Sequence, residues 1–269
     1  MMATTRVNGA EIYFRESGSG TETVVFAHGF LWSGRMFDDQ VNALQHRYRC
    51  ICFDFRGQGQ SEITPGGYDI DNLARDAGEL IEKTGSAPCH FVGLSMGGFV
   101  GMRLAIQRPD LIRSLVLMET SADPEPRENI ARYRLLGVVA RWLGMRPVAD
   151  RVMAIMFGTK FLSDPSRLDL RRHWRARLTA NNRVGVYRAL QGIITREGVY
   201  DQLDRISAPT LVIVGDQDVA TVPAKAERIH GRIAHSRLVV IPGAGHTSSV
   251  EEPAAVNAAL IDFLSGLAT

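Results

Sequence analysis

The chain is 269 residues long, 45% hydrophobic and 22% charged, with 26 Gly, 11 Pro and 3 Cys, a composition that excludes an intrinsically disordered chain and a disulfide-stapled mini-domain. A net charge of +2 argues against a general nucleic-acid partner. With no run of about 18 consecutive apolar residues and no basic-then-apolar start over Met1 to Ala10, the expectation is a soluble, cytoplasmic protein with no membrane partner.

Taken in chain order, Glu11–Arg15 and Thr23–Ala27 read as strands, joined through Ser17-Gly18-Ser19-Gly20 as an antiparallel edge hairpin. Arg49–Phe53 and His90–Val92 read as further strands. Between them, Asp69–Thr84 places Leu73, Ala77, Leu80 and Ile81 at helical spacing. A second helical run follows Gly97 and ends at Arg108, before Pro109, and Ile112–Met118 is again a strand. The last third resumes the alternation with strand Thr210–Val214, a helix near Ala224–Ile229, strand Arg237–Ile241 and helix Pro253–Leu267. Near-continuous apolar strands separated by helices predict a mostly parallel sheet covered on both faces. Cys50 and Cys52 stand two apart in one such strand, and with Cys89 they match neither a disulfide framework nor a metal-binding spacing.

From about Ala122 to Asp204 the strand signals stop, and helices such as Arg127–Leu143 and Pro147–Phe157 replace them. Between Arg127 and Arg196 the chain carries 14 Arg and one Lys against four acids, so this segment is strongly basic and the remainder acidic. The expected division is a core of residues 1–121 and 205–269 with a helical insertion over 122–204.

Candidate chemistry begins at Gly93-Leu94-Ser95-Met96-Gly97, a G-x-S-x-G turn between a strand and a helix. Such a turn strains the serine backbone and projects its hydroxyl above the sheet, while the next backbone N–H, that of Met96, can stabilise an oxyanion. A serine nucleophile needs a base, and the base needs an acid to orient it. Of seven histidines, His246 alone lies in a Gly-rich loop, Pro242-Gly243-Ala244-Gly245-His246, after a predicted strand and before a helix. Asp218 follows the preceding strand, which gives the chain order Ser, Asp, His; Asp216 and Glu119 are rival acids.

These motifs resemble those of the α/β-hydrolase superfamily, in its cap-bearing branch with esterase- and enol-lactonase-like members, over nearly the whole chain. Two further segments carry the likeness: His28-Gly29-Phe30, similar to the family's oxyanion loop, and Asp54-Phe55-Arg56-Gly57-Gln58-Gly59-Gln60-Ser61, similar to its D-x-R-G-x-G-x-S turn. The resemblance implies a mostly parallel sheet of about eight strands flanked by helices, with a helical cap after the sixth strand. It implies Ser95, His246 and Asp218 as the catalytic set, backbone N–H groups of Phe30 and Met96 as the oxyanion hole, and His28 as an organiser of that loop. Asp54 takes a structural part. The implied activity is cleavage of a small ester or lactone through an acyl-serine, with neither metal nor organic cofactor.

Departures from relatives of other activities are informative. Many perhydrolases and cofactor-free haloperoxidases of this superfamily have proline where this chain has Leu31. Dehalogenases and epoxide hydrolases place a carboxylate where it has Ser95, and carbon–carbon hydrolases often have a polar residue where it has Leu94. Carbon–carbon hydrolysis, perhydrolysis and ligand sensing are the rival functions. Leu31, Trp142, Met153, Met156, Phe157 and Phe161 are candidate lining for an apolar pocket under the cap, and the cap's arginines suggest steering of an anionic substrate. Oligomeric state has no signature in the sequence.

Overall fold

A computed structural model describes residues 1–267. Its strands are β1 (Met2–Val7), β2 (Ala10–Ser17), β3 (Thr23–Ala27), β4 (Arg49–Phe53), β5 (Cys89–Leu94), β6 (Ile112–Met118), β7 (Thr210–Gly215) and β8 (Ser236–Ile241). The helices are α1 (Asp38–Leu44), α2 (Ile70–Lys83), α3 (Met96–Gln107), α4 (Arg127–Leu143), α5 (Ala149–Met156), α6 (Thr159–Ser163), α7 (Leu168–Thr179), α8 (Arg183–Ile194), α9 (Pro223–His230), α10 (Ser248–Glu251) and α11 (Pro253–Ser265).

The strands form one eight-stranded sheet in the order β1-β2-β4-β3-β5-β6-β7-β8. Strands β3 to β8 run parallel, and β1 and β2 are antiparallel to their neighbours. The edge hairpin therefore differs from the expected one. It joins β1 to β2 through Asn8 (φ 43°) and Gly9 (φ 78°), the two positive-φ positions of a tight hairpin turn. Ser17–Gly20 instead leads across to β3, which lies on the far side of β4 from β2.

Alternation along each strand separates two cores. Val25 and Ala27 of β3 face α2 and α3 with Leu73, Leu80, Phe99 and Met102, while Val24 and Phe26 face the opposite layer with Leu44, Val256 and Phe263. Helix α2 starts with the Asp69 carboxylate accepting the Asn72 amide at 2.9 Å, an N-cap. The D-x-R-G turn is held by its own polar groups: Asp54 accepts the amides of Gly34 and Gln60 at 2.8 Å each, and Arg56 forms a buried fork with Asp76 at 2.6 Å. Cys50, Cys52 and Cys89 are buried free thiols, whose burial raises their pKa values.

Helices α4 to α8 occupy the chain between β6 and β7. Helix α8 approaches the core closely enough that a Cβ at Gly185 would lie 1.8 Å from the Gly57 carbonyl oxygen, and one at Gly192 1.9 Å from that of Tyr68. Among the described residues no helix is long and apolar enough to cross a membrane.

Candidate active site

The carboxyl ends of parallel strands leave a crevice where loops converge. Phe30 follows β3, Ser95 follows β5, Asp218 follows β7 and His246 follows β8, so the topology alone brings these four to one edge of the sheet.

Ser95 sits at φ 53°, ψ −109° between β5 and α3, a conformation costly for any residue with a side chain. The turn is possible because both flanking glycines make close approaches. A Cβ at Gly93 would lie 2.3 Å from the Gly97 carbonyl oxygen, and one at Gly97 2.0 Å from that of Ala27. The Ser95 carbonyl is itself held by the Thr120 hydroxyl at 2.8 Å, and its amide donates to Met118 at 2.8 Å.

The Ser95 hydroxyl lies 2.9 Å from His246 Nε2, and His246 Nδ1 lies 2.9 Å from Asp218 Oδ2. An ionised carboxylate only accepts, so Nδ1 carries the proton and Nε2 is left to accept from Ser95 Oγ–H. Asp218 is held by the amides of Ala220 and Thr221 and by the Thr221 hydroxyl, at 2.8, 3.0 and 2.8 Å. Burial pushes its carboxyl pKa up, but His246 and the Thr221 donors outweigh this and leave it below the usual value.

The rival acids face elsewhere. Asp216 accepts the Gly243 amide at 2.7 Å and closes the turn after β8. Glu119, fully buried at the end of β6, faces Ser248 and the Gly215 backbone; burial, then the nearby Asp218 and Glu251 charges, raise its pKa well above the usual range.

His28 receives the Phe55 amide on Nε2 at 3.0 Å, so Nδ1 donates to the Gly29 carbonyl at 2.7 Å. Burial lowers its pKa, with Asp54 and the Gly29 carbonyl opposing, and the ring thus fixes the loop that presents Phe30. Leu31 has φ 74°, which the proline ring, locked near −65°, cannot adopt. Met96 opens α3, so its N–H has no preceding helical carbonyl to bond.

Two buried side chains that brace the candidate site escaped the sequence reading. Gln58, buried in the D-x-R-G turn, accepts the Leu31 amide at 3.0 Å and points its amide at Met96 Sδ, 3.8 Å away, so it spans the loops carrying Phe30 and Met96. Glu251 takes the amides of Gly245 and Thr247, on either side of His246, at 3.0 and 3.1 Å. Gln58 lay at a variable position of a recognised turn, and Glu251 at the end of a four-residue helix that carried no motif.

A largely apolar cavity opens over Ser95 and His246, lined from the inserted segment by Leu136, Ala140, Val148, Val152, Met156 and Leu190. Of the candidate lining residues, Leu31 and Met156 border it. Trp142 does not: it is 70% exposed, on the face of α4 turned away from Tyr133, Leu136, Gly137 and Ala140. Met153, Phe157 and Phe161 are buried in the core instead. Phe157 stacks on Phe161 at 4.6 Å and meets Trp32 edge-on at 5.9 Å, so these rings join the segment to the loop after β3. The segment's basic charge is also mostly external: Arg127, Arg132, Arg134, Arg146, Arg151, Arg172, Arg175 and Arg183 are exposed, whereas Arg196 borders the cavity.

Among the described residues no group of three or more His, Cys, Asp or Glu side chains is placed to hold a metal ion. A family model for the alpha/beta hydrolase fold matches residues 22–253. The chain is 33% identical over 239 residues to 3-oxoadipate enol-lactonase 2 of Acinetobacter baylyi, covering 88% of this chain and 86% of that protein. In structure it is similar to a thermophilic esterase from Thermogutta terrifontis, with TM-score 0.92, 28% identity and full coverage of both chains. It is also similar to the enol-lactonase from Burkholderia xenovorans, with TM-score 0.91, 28% identity and coverage of 98% of this chain and 100% of that one.

Proposed function

This chain belongs to the α/β-hydrolase family, and on that premise we propose that it is a serine hydrolase that cleaves a small carboxylic ester or lactone through an acyl-serine intermediate. The observation that carries this reading is the continuous path from Asp218 through His246 to Ser95, with 2.9 Å at each step, ending under an apolar cavity.

Ser95 Oγ attacks the carbonyl carbon while His246 Nε2 takes its proton, and Asp218 holds the imidazole tautomer and stabilises the imidazolium. Negative charge developing on the carbonyl oxygen is met by the backbone N–H groups of Phe30 and Met96 at the positive end of α3. Removal of one such donor typically costs roughly 3 kcal/mol of transition-state stabilisation. The imidazolium then returns its proton to the leaving alkoxide. Water attacks the acyl-serine with His246 again as base, and the acid departs as Ser95 is regenerated. Residues 122–204 act as a cap whose inner faces, α4, α5 and α8, give the acyl or alcohol group an apolar surface to bury.

Steady-state hydrolysis of p-nitrophenyl esters from acetate to decanoate, alongside neutral lactones, tests the reading. Turnover abolished in Ser95→Ala, with the far-UV spectrum and Tm retained, supports it. A folded wild-type protein inactive on the whole series would move the reading toward carbon–carbon hydrolysis or ligand sensing.

A further inference from the structure

Apart from Ser95 and His246 with the neighbouring Ser121 and Thr221, the polar side chains that border the cavity are Arg196, Glu125, Tyr133 and Lys225. Arg196 follows α8 and is 8% exposed, with its guanidinium over the Phe99 ring at 4.2 Å. Phe99 lies one turn along α3 from Ser95, and its amide bonds the Ser95 carbonyl at 3.0 Å, so one helical turn and an aromatic ring separate the guanidinium from the proposed nucleophile. Both hydrogen bonds of the guanidinium leave from Nη1, to Glu125 Oε2 and to the Ile193 carbonyl, each at 2.9 Å. Nε is buried with no hydrogen-bond partner. A guanidinium offers five N–H donors in a planar fork suited to carboxylates, and a buried donor left unbonded is unfavourable.

The surrounding charges do not cancel. Glu125 pairs with Arg196, while Asp123 faces both Lys225 at 2.6 Å and Arg228 at 3.2 Å, so three cations meet two carboxylates. A largely apolar pocket with one positively charged end, holding spare donors on a stacked guanidinium, has the form of an orienting site for an anion.

We infer that Arg196 binds a carboxylate carried by the substrate, on the part of the molecule remote from the scissile carbonyl. This rests on the serine-hydrolase reading, and it names the substrate class as carboxylate-bearing esters or lactones. Glu125 retains Nη1 as counter-ion and the incoming carboxylate takes the remaining donors. Apolar lining then holds the chain between the two ends.

The experiment compares monomethyl and dimethyl esters of succinic, glutaric and adipic acids, which differ in one remote carboxylate. In the wild type at low salt, kcat/KM for the best monoester is expected to exceed that of its diester by about tenfold or more, and the ratio shrinks as salt rises. In Arg196→Met the ratio falls about tenfold, chiefly through KM of the monoester. The double variant Arg196→Met with Glu125→Gln removes the stranded carboxylate, so a folded protein is available for the same comparison. A wild-type ratio at or below one, or a ratio that neither variant changes, overturns the proposal. Calorimetric binding of the same esters to Ser95→Ala separates the two readings. Monoester preference in binding without turnover in the wild type retains the anion site and removes the hydrolase, whereas turnover of diesters without monoester preference removes the anion site alone.

Discussion

The carboxylate of Glu251 accepts the amide of Gly158 at 2.7 Å, and the same carboxylate receives Gly245 and Thr247 on either side of His246. The Thr247 hydroxyl adds a bond to the Met156 carbonyl at 2.7 Å. One buried side chain therefore fastens the turn after α5 to the loop that carries His246. Burial raises the Glu251 pKa, against the pull of the three amides and of His246.

Loss of this carboxylate leaves buried amides unbonded, so Glu251→Ala is expected to lower stability by roughly 2–4 kcal/mol. It is also expected to reduce kcat about 10- to 100-fold as His246 loses its position relative to Ser95. Glu251→Gln keeps one acceptor oxygen and lies between the two. Urea titration and p-nitrophenyl butyrate kinetics measure both effects. An alanine variant with wild-type kcat would remove the positioning role, whatever its stability.

Asp218→Asn tests the tautomer argument. The amide retains the size of the carboxylate but can turn its NH2 toward His246, which stabilises the tautomer with Nδ1 unprotonated and leaves Nε2–H facing Ser95. The expected result is a fall in kcat of about 10³- to 10⁴-fold with KM little changed. A loss below tenfold would show that another acid orients the base.

Glu119 makes stability pH-dependent in a defined direction. Its folded pKa is raised well above the unfolded value by burial and by its neighbours Asp218 and Glu251, so the folded state binds the proton more tightly than the unfolded chain. The stabilisation from keeping it protonated is complete below the unfolded carboxylate pKa and is lost as pH rises, by up to about 1.4 kcal/mol per pH unit, until the folded pKa is passed. Glu119→Gln removes that contribution. The decline in unfolding free energy between pH 5 and pH 8 should therefore be smaller in the variant than in the wild type. Parallel declines in the two proteins would show that Glu119 titrates normally.

What could be read in the sequence was what short segments determine locally. Ser95 was visible because its backbone strain demands glycine at 93 and 97, and β3, β4 and β7 because a strand buried on both faces is a near-continuous apolar run. Strand β1 was missed because Met2–Val7 is an edge strand whose polar, half-exposed residues mimic a loop, although Asn8-Gly9 is a strong hairpin signal. Gln58 and Glu251 were invisible because their partners are far along the chain: 27 residues separate Gln58 from Leu31, and 93 separate Glu251 from Gly158. Trp142 illustrates a third limit. Periodicity shows that α4 has faces, but which face turns inward is decided by α8, against which Gly137 and Ala140 pack close to Val186 and Leu190.

Helix α8 is also where packing leaves least freedom. Gly185 and Gly192 are seven residues apart, two turns along one face, and each lies against core backbone, Gly57 and Tyr68 respectively. A methyl group at Gly192 would meet a carbonyl oxygen at 1.9 Å, a contact that only movement of the helix or of the Tyr68 segment can relieve. Gly137 of α4 differs in kind: a methyl there would meet Leu190 Cδ2 at 2.6 Å, the end of a side chain that can change rotamer. Gly192→Ala is therefore expected to destabilise by about 1–3 kcal/mol, and to lower activity because Val186 and Leu190 on the same helix line the cavity. Gly137→Ala should lose less than about 1 kcal/mol, since alanine favours helix and Leu190 yields, while turnover of long acyl chains falls relative to short ones. Urea midpoints with an ester ladder for both variants decide the matter, and a Gly192→Ala protein as stable as the wild type would show that α8 can lift from the core without penalty.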